Sequence, residues 1–289
     1  MNPESLFIQC PGLKLHVSCW GEPEFPALLL LHGMRDHSRS WDWVAGELAS
    51  HYRIYAPDLR GHGDSGWVES GAYNVPDYLI DIEDITGALC LQKFAIVGHS
   101  FGGALGLRYA SVFPEKVTAF SGIECVELPI LRDQRSEPVQ HPARLRGWIE
   151  AARASRSRQP RDYPSLDEAE KRMYAENLGL SPDTISHLVK HGVIATADGN
   201  WRWKYDNAAR LRAPDDADGR DIDQMLDALI CPVMLAYGTA SWVEIPPRDR
   251  LARISALSLI EFPGASHWLH HTSRGAYIDA LRTFLAPVF

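Results

Sequence analysis

Apolar residues along the first 122 positions fall into two alternating rhythms. Short β-rich runs stand at Leu13–Trp20, Ala27–Leu31, Arg53–Ala56, Phe94–Val97 and Val117–Ile123. Between them lie segments of helical period, Pro76–Leu91 and Phe101–Val112. Pro76 suits a helix start, where its missing N–H costs nothing, and acidic residues fill the early turns that follow. This βαβ alternation predicts a mostly parallel sheet with helices on both faces.

From about Glu127 to Leu229 the pattern changes, becoming rich in Arg, Asp, Glu and Pro and mostly helical in period. Ser165 to Glu168 reads as a capping box ahead of Ala169–Asn177, Ser181-Pro-Asp opens a second helix, and Arg144–Ser157 makes a third. Strands resume at Val233–Tyr237 and Ser258–Phe262, and a helix near Tyr277–Phe284 closes the chain. The expected organisation is one core, residues 1–126 and 230–289, with a helical cap, 127–229, inserted before the last two strands. No internal repeat is present; Arg153–Arg161 is locally basic.

Composition narrows the function classes. The 289 residues are 45% hydrophobic and 23% charged, enough for a sizeable core. The net charge is −8 and the Lys and Arg residues are scattered, which argues against a nucleic-acid or anionic-lipid partner. Met1–Cys10 lacks the pattern of a secretory signal, and the longest apolar run, Ala27–Leu31, is strand-sized, so a cytoplasmic protein without a membrane partner is expected. Five widely spaced cysteines without a Cys-x-x-Cys pair point to reduced thiols and to no zinc site.

The chemistry concentrates in three places. At Phe94–Gly103 an apolar strand runs through Gly98-His99-Ser100-Phe101-Gly102 straight into a helix. A nucleophile elbow needs this layout: small residues two before and two after the serine let strand and helix approach, and the tight turn lifts the hydroxyl clear of the sheet. At Leu28–Met34 a buried strand ends in His32-Gly33, after which the Met34 N–H is placed to join that of Phe101 as an oxyanion donor. His32 and His99 read as loop braces. Finally, Ile260–Trp268 carries His267 on the loop after the last strand, where the chain order serine, acid, histidine puts a base. His270 and His271 read as surface or helix-start residues, and no metal is implied.

Leu31-His-Gly33, Pro57–Ser65, Gly98–Gly102 and Pro263–His267, taken together and in order, resemble the α/β-hydrolase superfamily over nearly the whole chain outside the cap. Tyr163–Ala169 and Trp201–Asp206 look like its serine hydrolase-like branch. The resemblance implies the α/β-hydrolase fold with an eight-stranded sheet, Arg60 and Asp64 as structural residues, and no cofactor. It also exposes a departure. Family members usually carry the triad acid in a Gly-x-x-Asp turn after the first strand past the cap, and here that turn reads Gly238-Thr-Ala-Ser241. Serine cannot balance an imidazolium. Glu124, at the end of the strand Val117–Ile123, is the expected replacement, because some haloalkane dehalogenases and lactone hydrolases place the acid there; Glu244 and Asp249 are the alternatives.

The expected reaction is hydrolysis of a small carboxylic ester or lactone by Ser100, His267 and Glu124. Carbon–carbon bond hydrolysis of a diketone-like substrate and a non-catalytic ligand-binding role are the competing readings. Ser100 argues against epoxide hydrolase and dehalogenase chemistry, which in this superfamily uses a carboxylate nucleophile. Trp41, Trp242 and Trp268, on loops at the catalytic end, and Trp148 in the cap are the candidate substrate-binding residues.

Overall fold

Leu28, Leu29, Leu30 and Leu31 are all fully buried, but their side chains belong to two different apolar clusters. Successive strand residues point to opposite faces, so Leu29 and Leu31 enter one cluster and Leu28 and Leu30 the other. A strand apolar at every position is stable only when both faces are covered. Burial of each leucine contributes roughly 2 kcal/mol. Phe94 and Ile96 against Ala95 and Val97, and Leu235 and Tyr237 against Met234 and Ala236, divide the same way.

The structure, a computed structural model, describes residues 2–68, 73–126, 141–158, 160–177, 179–211, 217 and 219–288. Its strands are β1 (Glu4–Cys10), β2 (Leu13–Trp20), β3 (Ala27–Leu31), β4 (Arg53–Pro57), β5 (Phe94–His99), β6 (Val117–Ile123), β7 (Asp162–Tyr163), β8 (Val193–Ala195), β9 (Trp201–Trp203), β10 (Val233–Gly238) and β11 (Leu257–Phe262). Eight of them form the main sheet in the order β1-β2-β4-β3-β5-β6-β10-β11. Within this sheet, only β1 with β2 and β2 with β4 pair antiparallel. The expected α/β-hydrolase architecture is therefore present.

Several parts went unread in the sequence, among them the helix Asp42–Leu48. Strand β1 was missed because Glu4, Ser5, Phe7 and Gln9 lie exposed on an edge, so its apolar signal is weak. The cap holds a small sheet, β7-β9-β8, beside its helices, and strands of two or three residues are too short to show a period. The helix Gly219–Asp227, inside the stretch assigned to the cap, packs on the helix Ser100–Val112, with Ile222 and Leu226 in the core. The expected cap start at Glu127 lies outside the described residues, as does part of Arg153–Arg161.

The two cap starts read from the sequence are capped as their residues dictate. Ser165 Oγ accepts from the Glu168 N–H at 3.2 Å and Ser181 Oγ from the Thr184 N–H at 3.2 Å. The cap is tied to the core by polar bonds: His37 Nε2 donates to the Leu188 carbonyl at 2.9 Å, His187 Nε2 to the Arg39 carbonyl at 3.0 Å, and the Asp206 N–H to the Gly61 carbonyl at 2.8 Å. All five cysteines are free thiols. Among the described residues, no helix is long and apolar enough to cross a membrane.

Candidate active site

Strand β5 ends at His99 and Ser100 begins the next helix with φ at 52°. That left-handed conformation costs an L-residue on the order of 1–2 kcal/mol. Strain of this kind is kept where the surroundings enforce it, and here they do. A Cβ on Gly98 would lie 2.5 Å from Gly103 Cα, and one on Gly102 would lie 2.4 Å from the carbonyl oxygens of Leu31 and His32. Neither position admits a side chain. The turn leaves Ser100 at the floor of a cleft of about 610 Å³ that His267, Met34 and Phe101 also line.

Glu124 immediately follows β6 and, like Ser100, is held at positive φ, 48°. It is completely buried, and both carboxylate oxygens are engaged. Oε1 accepts from the Gly238 N–H at 2.7 Å; Oε2 accepts from Ser241 Oγ at 2.6 Å and lies 2.6 Å from His267 Nδ1. The alternative acids Glu244 and Asp249 are both exposed. Ser241 had been read only as a vacancy. It is instead a donor to the carboxylate on the neighbouring strand, and no local motif announces that bond, because β6 and β10 come together only in the sheet.

The residue beside the serine fixes the loop that carries His267. His99 Nε2 lies 2.9 Å from the His267 carbonyl oxygen, which can only accept, so this nitrogen carries the proton and Nδ1 keeps a lone pair. Burial, then the neighbouring His270 and His267, push the His99 pKa well below its ordinary value, so the ring is neutral. His32 is a brace of the same kind. It is fully buried, its Nδ1 donates to the Gly33 carbonyl at 2.7 Å, and its Nε2 accepts from the Leu59 N–H at 2.9 Å. Both bonds hold the turn that brings Met34 to the cleft.

Of the four candidate tryptophans, Trp242 and Trp268 line the cleft. Trp242 sits 4.7 Å from the His267 ring, centroid to centroid, and Trp268 Nε1 donates to Asn177 Oδ1 in the cap at 3.0 Å. Trp41 is a correction: it is fully buried in the core, its ring 4.9 Å from His270, because it closes a short 3-10 turn that packs on β2, β4 and β3. Trp148 lies on the helix His141–Ser157 and is not among the side chains lining the cleft. His270 and His271 lie at the start of the short helix Leu269–Thr272, the second of the two places expected for them, and both are buried rather than on the surface. Arg60 pairs bidentately with Asp81, and Asp64 pairs with Lys204 of the cap.

Sequence reasoning also missed a polar rim. Arg35 and Glu176 face one another at 3.8 Å, and they and Arg210 line the cleft with the tryptophans. Arg35 and Arg210 give the cleft two cations in a chain that is acidic overall.

The comparisons with known proteins follow the same outline. A model of the Alpha/beta hydrolase family matches residues 28–280. A serine hydrolase-like protein of Dictyostelium discoideum is 26% identical over 291 residues, covering 95% of this chain and 79% of that protein. Epoxide hydrolase 4 of Mus musculus is 31% identical over 152 residues, half of this chain and 42% of the relative. Among solved structures, a thioesterase domain from the curacin biosynthetic pathway superposes with a TM-score of 0.85 at 24% identity, covering 98% of this chain and all of that domain.

Proposed function

The chain belongs to the alpha/beta hydrolase family, in its serine hydrolase-like branch, and from that premise we propose that it cleaves a carboxylic ester or lactone through an acyl-enzyme on Ser100. The observation that carries this reading is the 2.6 Å bond between Glu124 and His267 Nδ1, on the same cleft as a serine held at positive φ. In the proposed reaction, His267 Nε2 takes the Ser100 proton as Oγ attacks the carbonyl carbon. The oxyanion is received by the N–H groups of Met34 and Phe101, and His267 then protonates the leaving alcohol. Water activated by the same nitrogen releases the acid and restores the serine. Glu124 holds the ring in the productive tautomer and balances the imidazolium.

Serine rather than a carboxylate at the elbow favours acyl transfer over the reaction named for the epoxide hydrolase relative, because an epoxide-opening elbow in this superfamily supplies the carboxylate itself. Trp242 and Trp268 favour a substrate with an apolar or aromatic group, and the rim of Arg35, Glu176 and Arg210 favours one that also bears a polar group. The test is labelling by a fluorophosphonate probe together with hydrolysis of a short-chain p-nitrophenyl ester. Wild type is expected to label and turn over, and Ser100→Ala to do neither. Equal rates in both proteins would remove the enzymatic reading.

A further inference from the structure

Beside the cleft, on the far side of His99 from the His267 carbonyl, three polar side chains converge, each with at least one buried atom that has no hydrogen bond. Asp36, His99 and His270 are 5%, 2% and 1% exposed, and one potential ligand atom from each lies within 4.8 Å of the other two. Asp36 Oδ2, His99 Nδ1 and both ring nitrogens of His270 make no hydrogen bond. Asp36 Oδ1 is occupied by the His37 N–H at 2.9 Å and the Ser40 hydroxyl also bears on this carboxylate, which leaves Oδ2 as the oxygen without a hydrogen bond of normal geometry. Buried polar atoms are nearly always satisfied, and several orphans gathered at one point indicate a missing guest.

We propose that Asp36, His99 and His270 form a binding site for a divalent transition-metal ion of the zinc type. Two imidazoles and one carboxylate are a donor set for such an ion and not for calcium or magnesium, which take oxygen ligands. His99 is already in the required tautomer. Its Nε2–H is committed to the His267 carbonyl, and a ligating histidine ordinarily directs its other ring N–H to such an acceptor. The ion would also neutralise a carboxylate that is buried with no cation against it. Ligand bonds of about 2.0–2.2 Å in tetrahedral geometry place ligand atoms about 3.4 Å apart, so the three side chains would draw together from their present spacing as the ion enters.

Other histidine–carboxylate clusters among the described residues lack this character. In Asp42, His187 and His191 the carboxylate is held bidentately by Arg39, and in His16, Asp58 and Asp64 the Asp58 oxygens are filled by His16 and backbone N–H groups. The ion at Asp36 touches none of the reacting atoms. It bears on the triad through His99, whose Nε2–H becomes a stronger donor to the His267 carbonyl when Nδ1 is ligated. The site is therefore one of structure and positioning.

The experiment titrates zinc alone into the chelator-treated full chain by calorimetry and repeats it with cobalt(II), whose visible absorption reports nitrogen and oxygen ligation. One ion per chain is expected, with affinity falling about a hundredfold in His270→Gln and in Asp36→Asn. His187→Gln is expected to bind as wild type does. No saturable uptake at one ion per chain, or His270→Gln binding as tightly as wild type, would overturn the proposal, and a buried water would then be the guest. Should circular dichroism show His270→Gln unfolded, the isosteric Asp36→Asn decides by the same criterion. None of these readouts depends on Ser100 chemistry.

Discussion

Among the described residues, two serine–histidine–carboxylate arrays invite comparison, and the one at Ser100 lines a cleft. At the cleft, Glu124 holds His267 at 2.6 Å beside Ser100. Toward the β1 edge of the sheet, Asp58 lies 2.8 Å from His16 Nδ1, and His16 Nε2 lies 2.8 Å from Ser5 Oγ. By hydrogen bonds alone the second array is the more complete. What differs is the setting: Ser5 sits within the strand β1 and is not among the residues held at positive φ. Ser100 has the strained turn, the helix and the cavity. A triad is recognised by its site and not by its residue types.

The largest expected effect tests that contrast directly. Ser100→Ala should lower ester kcat by roughly a millionfold, the scale seen when a serine nucleophile is removed from a working triad. It should also abolish all fluorophosphonate labelling, whereas Ser5→Ala should change neither. Label found on Ser5 in the Ser100→Ala protein, by mass spectrometry of the peptides, would show that the hydrogen-bond chain suffices and break the comparison.

Next come the two acids, whose removal should fail in opposite ways. Glu124→Gln should keep its fold and lose about ten-thousandfold in kcat, since the amide no longer selects the right tautomer or balances the imidazolium. Asp58→Asn should keep the kcat of its folded fraction and lose about 3 kcal/mol of stability, because a buried charge-paired network is broken. Asp58 also ties down the neighbouring loops, accepting from the N–H groups of Ser38 at 2.6 Å and Asp64 at 2.8 Å. Urea melts alongside ester kinetics separate the two outcomes, and a kcat loss in both proteins would deny that the arrays differ.

Acid should sharpen the same contrast. Burial opposes ionisation of Asp58, but hydrogen bonding and charge from His16, with His32 and the Ser38 N–H, outweigh it and hold the pKa well below the ordinary 3.8. Its contribution to stability is thus complete above a pH of about 4, where the unfolded carboxyl is ionised, and disappears as pH falls through the depressed native value. The stability gap between wild type and Asp58→Asn should therefore be widest near neutrality and shrink on acidification below about pH 4. A gap that stays constant down to pH 2 would show that Asp58 acts through shape alone.

The comparison also shows what a sequence can and cannot carry. Ser100 and its glycines were legible because an elbow is local: strand, turn and helix are contiguous, and steric demands fix residue types at fixed offsets. The parallel strands were legible because burial on both faces writes an unbroken apolar run. Glu124 was reached by a topological argument, from the strand it ends. Ser241 as a donor, the buried state of His270, and the distance of Trp41 from the cleft were not legible, since each depends on which strand ends and loops meet across the sheet. The array at Ser5 joins residues from β1, β2 and the loop after β4, and no motif links them.

The smallest effect concerns the serine that occupies the usual acid position. Ser241 Oγ donates to the Glu124 oxygen nearest His267, and its own oxygen accepts from the Val243 N–H at 3.2 Å. A hydrogen bond to a charged group is worth about 1.5–3 kcal/mol, but Glu124 keeps the Gly238 N–H and the His267 ring when the hydroxyl is lost, so Ser241→Ala should lower kcat only about tenfold. KM should be unchanged, because Ser241 is not among the residues that line the cleft. Ser241→Thr retains the hydroxyl and should recover most of the rate, a rescue that general loosening of the loop would not give. A Ser241→Ala enzyme as fast as wild type would mean that the backbone alone steers Glu124, whereas a loss near that of Glu124→Gln would make Ser241 as necessary as the acid it serves.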